Sequence, residues 1–296
     1  MSTSFLVFDI ETILDPELPI VESAEGQKLP SPPHHKVVAI GALLIGPDYT
    51  MKRLGLVGRD SSDEALLLSE FAELVEKHRP TLVSFNGRGF DLPVIATRCL
   101  RHGVPFRTYY RSRDMRYRFT EAGHFDLMDF LADYGASKQT RLDVMAKLSG
   151  MPGKVGVDGK DVGPLVHAGR IDEVRAYCLC DVIQTAGVFL RVQLIRGELL
   201  KDEYLAAMRR LIGLAETDPR VAPVRKGMNV ERLLLGEPLV ARPVTTDVEA
   251  ASEPPLVVAI ASARHAVSTT IVVDEGRVET SVVEEVSAVV VGQGSR

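Results

Sequence analysis

Apolar residues fall along this chain in short runs that alternate with helical stripes. Phe5–Phe8 is a continuous apolar run, the mark of a strand buried on both faces. Lys36–Ile45 and Met51–Val57 are two further strand runs around a turn at Gly46-Pro47-Asp48-Tyr49, which predicts an antiparallel pair. Between Asp63 and His78 the apolar positions Leu67, Phe71, Leu74 and Val75 recur at helical spacing. Ser61 and Ser62 offer that helix a cap, and Glu64 gives it an acidic first turn. Pro80 closes it. Thr81–Phe85 repeats the buried-strand pattern, and a helix over Leu92–Arg101 follows with Pro93 in its first turn. A short apolar element runs from His124 to Leu131, a short helix covers Arg141–Leu148, and Gly150–Gly163 is a glycine-rich loop. The longest helix is expected over Asp172–Arg196, capped by Asp172, and helices over Glu198–Leu214 and Asn229–Leu235 come after it. Strands alternating with helices predict an α/β chain, a mixed sheet flanked by helices.

Two stretches break this rhythm. Ile13 to His35 has no period and reads as a long loop, either a rim that meets substrate or a loose excursion. Pro243–Pro255 is linker-like, and Leu256–Ala261, Ser268–Val273 and Arg277–Val283 are β-prone runs with a turn at Asp274-Glu275-Gly276. The expected division is a main domain over 1–244 and an acidic linker with a β-prone C-terminal extension over 245–296. That extension is either a small β appendage or a sticky tail held soluble by its acids.

The polar residues that interrupt the buried runs carry the chemistry. Asp9 and Glu11 are spaced i, i+2 on the first strand, so both side chains lie on one face. Such a pair repels unless a cation sits between the two or one takes a proton. Alone it reads as a strand end with solvated acids, just as Asp91 alone reads as the cap of its helix. Tyr177 and Asp181 are i, i+4 on the inward stripe of the longest helix, with Val174, Cys178, Val182 and Thr185. An acid on that stripe is costly unless paired, metal-bound or near an edge, and the tyrosine alone reads as a core residue with its hydroxyl at the rim. The ligand crevice of an open sheet lies outside the carboxyl ends of its strands, where Asp9 and Glu11 fall. Oxygen ligands of this kind suit Mg²⁺ or Mn²⁺, and two such ions about 4 Å apart clamp the attacking and leaving oxygens of a phosphodiester.

Composition changes this picture in three ways. The 296 residues are 45% hydrophobic and 25% charged, enough to bury a sizeable core. The net charge of −5 sits in the extension, where eight acids face three arginines from Thr245 onward, so residues 1–244 balance at 32 acidic and 32 basic side chains. A neutral domain can hold a basic patch beside an acidic pocket. Residues 106–119 carry five arginines and five aromatic rings against the single acid Asp114. That strip is either a surface that stacks on bases and pairs with phosphates or a half-buried connection. The three cysteines have neither disulfide nor zinc spacing, no apolar run reaches membrane-spanning length, and no signal segment starts the chain. A reduced, cytoplasmic protein without a membrane is expected. Gly87-x-Gly89 lacks the full dinucleotide fingerprint, which argues against a nicotinamide site.

In this order and spacing, Phe8-Asp9-Ile10-Glu11-Thr12, Asn86 through Phe90-Asp91, and Tyr177 with Asp181 carry a resemblance. The chain resembles the DEDD superfamily of 3′→5′ exonucleases on a ribonuclease H-like fold. Its tyrosine subtype fits, and in particular the stand-alone predicted exonucleases related to the proofreading domain of family B DNA polymerases. The resemblance implies that Asp9, Glu11 and Asp181 bind two divalent cations directly, with Asp91 a ligand through water or of the second ion. Tyr177 would orient the attacking water. Thr12, Asn86, Phe90, Arg111, Arg113, Arg116 and Lys154 would contact the substrate, a single-stranded DNA or RNA 3′ end, and His124 and Asp126 would be structural or touch the rim. DNA is favoured, with nucleoside 5′-monophosphates as products. The resemblance spans residues 5 to about 200, leaves the stretch after Thr245 without an account, and includes no polymerase domain. Two other classes stand beside it. A catalytically silent nucleic-acid binder of the same fold would lack at least one of the four acids, and a metal-dependent phosphatase acting on nucleotides leaves the arginine–aromatic strip unexplained.

Overall fold

The computed structural model describes residues 3–18, 30–59, 61–239, 259–260, 268–274 and 277–283. They fall in two compact units, residues 1–241 and 242–296. In the first unit β1 (Phe5–Leu14), β2 (His35–Ile45) and β3 (Met51–Leu56) precede α1 (Glu64–His78), β4 (Thr81–Ser84) and α2 (Asp91–His102). Short helices α3 (Arg107–Arg111) and α4 (Arg113–Arg116) lead to β5 (His124–Asp126), α5 (Leu127–Leu131), α6 (Leu142–Ser149) and α7 (Val162–His167). The long α8 (Ile171–Ile195) and α9 (Lys201–Thr217) follow, then α10 (Ala222–Gly227) and α11 (Val230–Leu233).

The five strands form one mixed sheet in the order β3-β2-β1-β4-β5. β1–β2 and β2–β3 are antiparallel, and β1–β4 and β4–β5 are parallel. Helices flank this sheet, the mixed α/β architecture that the sequence predicts, with the strand order expected of a ribonuclease H-like fold. β1 is its centre because its residues alternate between two cores. Leu6, Phe8 and Ile10 pack with Phe71, Leu82 and Ile95 on the α1–α2 face, whereas Val7 packs with Leu43, Phe125, Phe189 and Leu211 on the α8–α9 face. Truncating Phe8 or Phe71 to alanine would cost about 3–5 kcal/mol, since both rings are fully enclosed. By the same alternation Asp9 and Glu11 belong to the α8 face.

α8 differs from the sequence expectation in its apolar length. It is long and apolar enough to cross a membrane, yet 78% of its most apolar 18-residue stretch is buried inside the protein. From Cys178 to Leu190 every residue but Asp181 is buried, against the sheet, α6 and α9, so the helix is largely apolar because it is a core helix. Gly41 on β2 lets it close on the sheet. A Cβ there would stand 3.0 Å from Cys178 Sγ and 3.1 Å from a Val182 methyl.

Other boundaries move for local reasons. β1 runs on to Leu14 and pairs with His35, so the connection after Glu11 is shorter than its composition implied, and residues 19–29 of it lie outside the described residues. Asp63, not Ser61 or Ser62, caps α1 by accepting the Ala65 N–H at 3.0 Å. Asp172 does not cap α8. It lies in the first turn and pairs with Arg175 at 2.8 Å. Helix α7 interrupts the stretch that followed the glycine-rich loop without a periodic signal.

One buried ion cluster binds the root of the β1–β2 connection. Arg98 on α2, 2% exposed, donates to both Glu64 oxygens at 2.7 and 2.6 Å, to Asp15 at 2.7 Å and to the Pro33 carbonyl at 3.1 Å. Glu64 also accepts the Val37 N–H at 2.7 Å and contacts His102 Nε2 at 2.7 Å. Four elements are thus tied through one guanidinium.

The second unit contains β6 (Ala259–Ile260), β7 (Ser268–Asp274) and β8 (Arg277–Val283), antiparallel in that order. The predicted linker Pro243–Pro255, the rest of the Leu256–Ala261 run and the turn residues Glu275 and Gly276 lie outside the described residues.

Candidate active site

Asp9 and Glu11 leave β1 on the face that α8 covers, and α8 there presents Tyr177, Cys178 and Asp181. One ligand atom from each of Asp9, Glu11 and Cys178 lies within 4.8 Å of the other two. Asp91 reaches the same place from the opposite side of β1. The β1–β4 ladder stops at Val7↔Val83, so the Ile10 N–H has no strand partner. Asp91 accepts it at 3.3 Å, between the two acids. This corrects the capping role read from the sequence. α2 begins at Asp91 with Phe90 in the cap position, and the carboxylate serves β1 instead.

The turn that delivers Asp91 is built by Asn86, whose φ of +70° is left-handed and whose carbonyl accepts the N–H groups of Gly89 and Phe90 at 3.0 Å. Asp126, at the end of β5, holds this turn from outside. It accepts the N–H groups of Asn86 at 3.0 Å and Arg88 at 2.8 Å, and those of Met128 and Asp129 at the start of α5. Buried and fully occupied, Asp126 is a structural hub. His124 is structural as well. Its Nε2 lies 2.7 Å from Ser84 Oγ, and burial pushes its pKa down to about 3, so the ring is neutral.

Burial dominates the electrostatics of the four acids, and repulsion from the others adds to it at Asp9 and Glu11. Burial raises the Asp9 carboxyl well above the ordinary range, and Asp91, Glu11 and Asp181 push it further. Glu11 is raised by burial, then by Asp181 and Asp91. Burial lifts Asp91 to about 7, and lifts Asp181 to about 6 against hydrogen bonds from Tyr177 and Gln184. Among the described residues Glu11 has no hydrogen-bond donor, and Asp9 has only the Cys178 thiol, 3.7 Å from its Oδ2. Hard oxygen donors gathered with no ion-pair partner among the described residues fit a divalent cation. Tyr177 donates its hydroxyl to Asp181, and burial together with Asp181, Glu11 and Asp9 raises its pKa above the usual phenol value. It keeps its proton at neutral pH.

The remaining candidates sit around this centre or apart from it. The Thr12 hydroxyl is 3.1 Å from His35 Nδ1, and His35 Nε2 is 3.1 Å from the Pro30 carbonyl. A carbonyl only accepts, so Nε2 carries the proton and the Thr12 hydroxyl donates to Nδ1. The His35 ring also meets Phe90 edge-on at 4.9 Å. Sequence reasoning missed His35, because nothing in the Pro-Pro-His-His-Lys run marks one histidine over the other. It missed Cys178 as a neighbour of Asp9 for a similar reason, since a lone thiol on an apolar stripe reads as core. Lys154 is exposed and paired with Asp158, and its charge helps keep Asp181 ionised.

Arg111, Arg113 and Arg116 are exposed on α3 and α4, and among the described residues no hydrogen bond or ion pair joins them to the four acids. Arg113 and Arg116 lie over their own aromatic neighbours. Arg113 lies 5.3 Å from the Tyr117 ring, and Arg116 lies 5.8 and 5.7 Å from Tyr109 and Tyr110. A surface hollow of about 390 Å³ opens between Tyr110, Arg111, Arg113, Arg116 and Tyr117. Phe106 and Met115 anchor the strip in the core while Tyr110, Tyr117 and Phe119 stay exposed.

Residues 29–221 match the model of a family described as a predicted 3′-5′ exonuclease related to the exonuclease domain of PolB. The chain belongs to this family. The matched span holds Asp91, Tyr177 and Asp181, and the fold brings Asp9 and Glu11 to them from outside it. No protein of curated function matches the chain. Among solved structures it is similar to a crystal structure of E. coli Exonuclease I in complex with a dA16 oligonucleotide, with 16% identity and a TM-score of 0.34, over 72% of this chain and 45% of that one. A second is Exonuclease I (apo), with 15% identity and a TM-score of 0.33, over 72% and 47%. This chain therefore spans less than half the length of either.

Proposed function

We propose that residues 1–244 form a metal-dependent 3′→5′ exonuclease of the DEDD superfamily, tyrosine subtype. It releases nucleoside 5′-monophosphates from single-stranded nucleic acid, with DNA favoured over RNA. The observation that carries this reading is the convergence of Asp9, Glu11, Asp91 and Asp181, from three separate segments, on one place where none of the four has an ion-pair partner among the described residues. Asp9, Glu11 and Asp181 would hold two divalent cations, Mg²⁺ or Mn²⁺, with Asp91 completing the second position through water or directly. When bound, the ions supply positive charge for the transferring phosphoryl group and lower the pKa of the attacking water.

The protein's own residues do the rest. Tyr177 retains its proton, so its hydroxyl orients the attacking water by hydrogen bonding and does not serve as a base. Thr12, positioned by His35, and Phe90, held against the same ring, flank the Asp9–Glu11 end, where Asn86 shapes the turn and the terminal nucleotide would bind. Lys154, whose charge favours the Asp181 carboxylate, and the arginines of the exposed strip would hold phosphates behind the scissile bond while Tyr110 and Tyr117 stack on bases. A reducing, cytoplasmic setting is part of this reading, and three buried, unpaired cysteines support it.

The test is a time course on a single strand labelled at its 5′ end, with and without Mg²⁺. A descending ladder that needs metal is expected, slower on blunt duplex than on a single strand. Binding without cleavage would make the chain a silent binder. Release of nitrophenol from para-nitrophenyl phosphate with the strand left intact would make it a phosphatase. Equal cutting of a circular strand would remove the 3′→5′ direction.

A further inference from the structure

Cys178 is more than a core thiol. Its sulfur lies where β1, β2 and α8 meet, in the gap that Gly41 leaves open. The Gly41 N–H donates to Sγ at 3.2 Å, and the S–H donates to the Asp9 carbonyl at 3.3 Å with Oδ2 of the same residue 3.7 Å away. Those bonds aim the sulfur at the carboxylates. Glu11 stands across from it, 7% exposed and without a hydrogen-bond donor among the described residues. Asp9, Glu11 and Cys178 thus form a set of two oxygens and one sulfur with all ligand atoms within 4.8 Å.

We infer that this set is a site for a thiophilic divalent cation, Zn²⁺ among physiological ions, which competes with Mg²⁺ or Mn²⁺ for Asp9 and Glu11 and so inhibits the enzyme. The inference rests on the proposed function in taking those two carboxylates as metal ligands. Zinc bonds of about 2.3 Å to sulfur and 2.0–2.2 Å to oxygen put tetrahedral ligands about 3.5 Å apart, within a small side-chain adjustment of the spacing here. Three protein ligands leave a fourth position open. Mg²⁺ gains little from sulfur and leaves the thiol protonated, whereas Zn²⁺ takes it as thiolate and ranks above Mn²⁺ for such ligands. On binding, the S–H bond breaks as the metal–sulfur bond forms, and the proton passes to buffer. No electron is transferred.

Cd²⁺ is the probe, because its thiolate complexes absorb in the ultraviolet. Titrated into the full chain carrying Cys99→Ser and Cys180→Ser, Cd²⁺ should raise a sulfur-to-metal band that saturates at one equivalent. Adding Cys178→Ala should abolish the band. Mn²⁺ bound to the chain, read from the loss of its free-ion EPR signal, should be displaced by Cd²⁺. A band that is absent, or that survives Cys178→Ala, overturns the inference. With Mn²⁺ still bound in that case, the carboxylates stand as ligands. A band without any Mn²⁺ binding would instead sink the proposed metal centre and keep the sulfur site. Should Cys178→Ala lose its circular dichroism, Glu11→Gln replaces it. That variant keeps the thiol and should weaken Cd²⁺ by about tenfold or more, at least the cost of removing a group that merely supports a ligand. Unchanged Cd²⁺ affinity there overturns the three-ligand site.

Discussion

Two buried clusters of charge lie in this domain and obey opposite rules. Around Arg98 the acids are satisfied. Burial pushes the Asp15 carboxyl up, but the Glu17 N–H and the Arg98 guanidinium outweigh it and hold the group below the ordinary range. Glu64 is likewise held down by Arg98, His102 and the Val37 N–H against its burial. Around Asp9 no acid has an ion-pair partner among the described residues; Asp91 and Asp181 accept hydrogen bonds, but burial outweighs them and all four are raised. Under the proposed function, the same residue types give architecture where a cation is built into the chain and a reactive centre where the cation comes from solution.

The sharpest way to break this contrast is to delete an acid from each side. Asp9→Ala and Asp181→Ala should each lower the single-turnover cleavage rate by several orders of magnitude, while the metal-free melting temperature holds or rises because repulsion is relieved. A large drop in melting temperature for both would move these acids into the architecture. Arg98→Met should do the reverse. It strands Asp15 and Glu64 in the interior and should cost about 3–5 kcal/mol, read from the denaturant midpoint, with cleavage per folded molecule retained. A variant that melts like the wild type would end the comparison.

Tyr177→Phe tests the centre more finely. Metal binding and substrate affinity should persist while the chemical step slows by about tenfold to a hundredfold, the worth of one hydrogen bond to a charged group. A single-turnover rate equal to wild type would return Tyr177 to the core.

Acidity separates the two clusters without mutation. Unfolded carboxyls titrate near pH 4. Asp181 at about 6 and Asp91 at about 7 bind protons in the folded state that the unfolded chain has already lost. The metal-free protein should therefore lose stability as pH rises from about 4 to 7, and Mg²⁺ should flatten that slope. Asp15 and Glu64 act in the opposite sense. Their contribution is present above about pH 4 and disappears as pH falls through their lowered folded values. Melting curves across pH, with EDTA and with Mg²⁺, measure both limbs.

The smallest effect concerns the exposed strip. Alanine at Arg111, Arg113 and Arg116 together should weaken single-strand binding and flatten its salt dependence, each lost phosphate contact lowering the slope by about 0.7. An unchanged slope would make the strip a surface that serves only its own rings.

Local period was enough to read much of this protein from its sequence. The alternation of β1 alone puts Asp9 and Glu11 on one face, and the four-residue step of α8 alone stacks Tyr177 over Asp181. Both are properties of a single element, set by two or 3.6 residues per repeat. What the tertiary structure decided is which faces meet and who satisfies whom. Asp91 leaves its own helix cap because β4 ends early and frees the Ile10 N–H. Cys178 reaches Asp9 because Gly41, 137 residues away in the chain, has no side chain. Arg98 finds Asp15 and Glu64 across 83 and 34 residues. Partners so far apart share no repeat that a linear pattern can hold. They are chosen when the sheet and its helices close, since only then does burial make an unmatched charge costly.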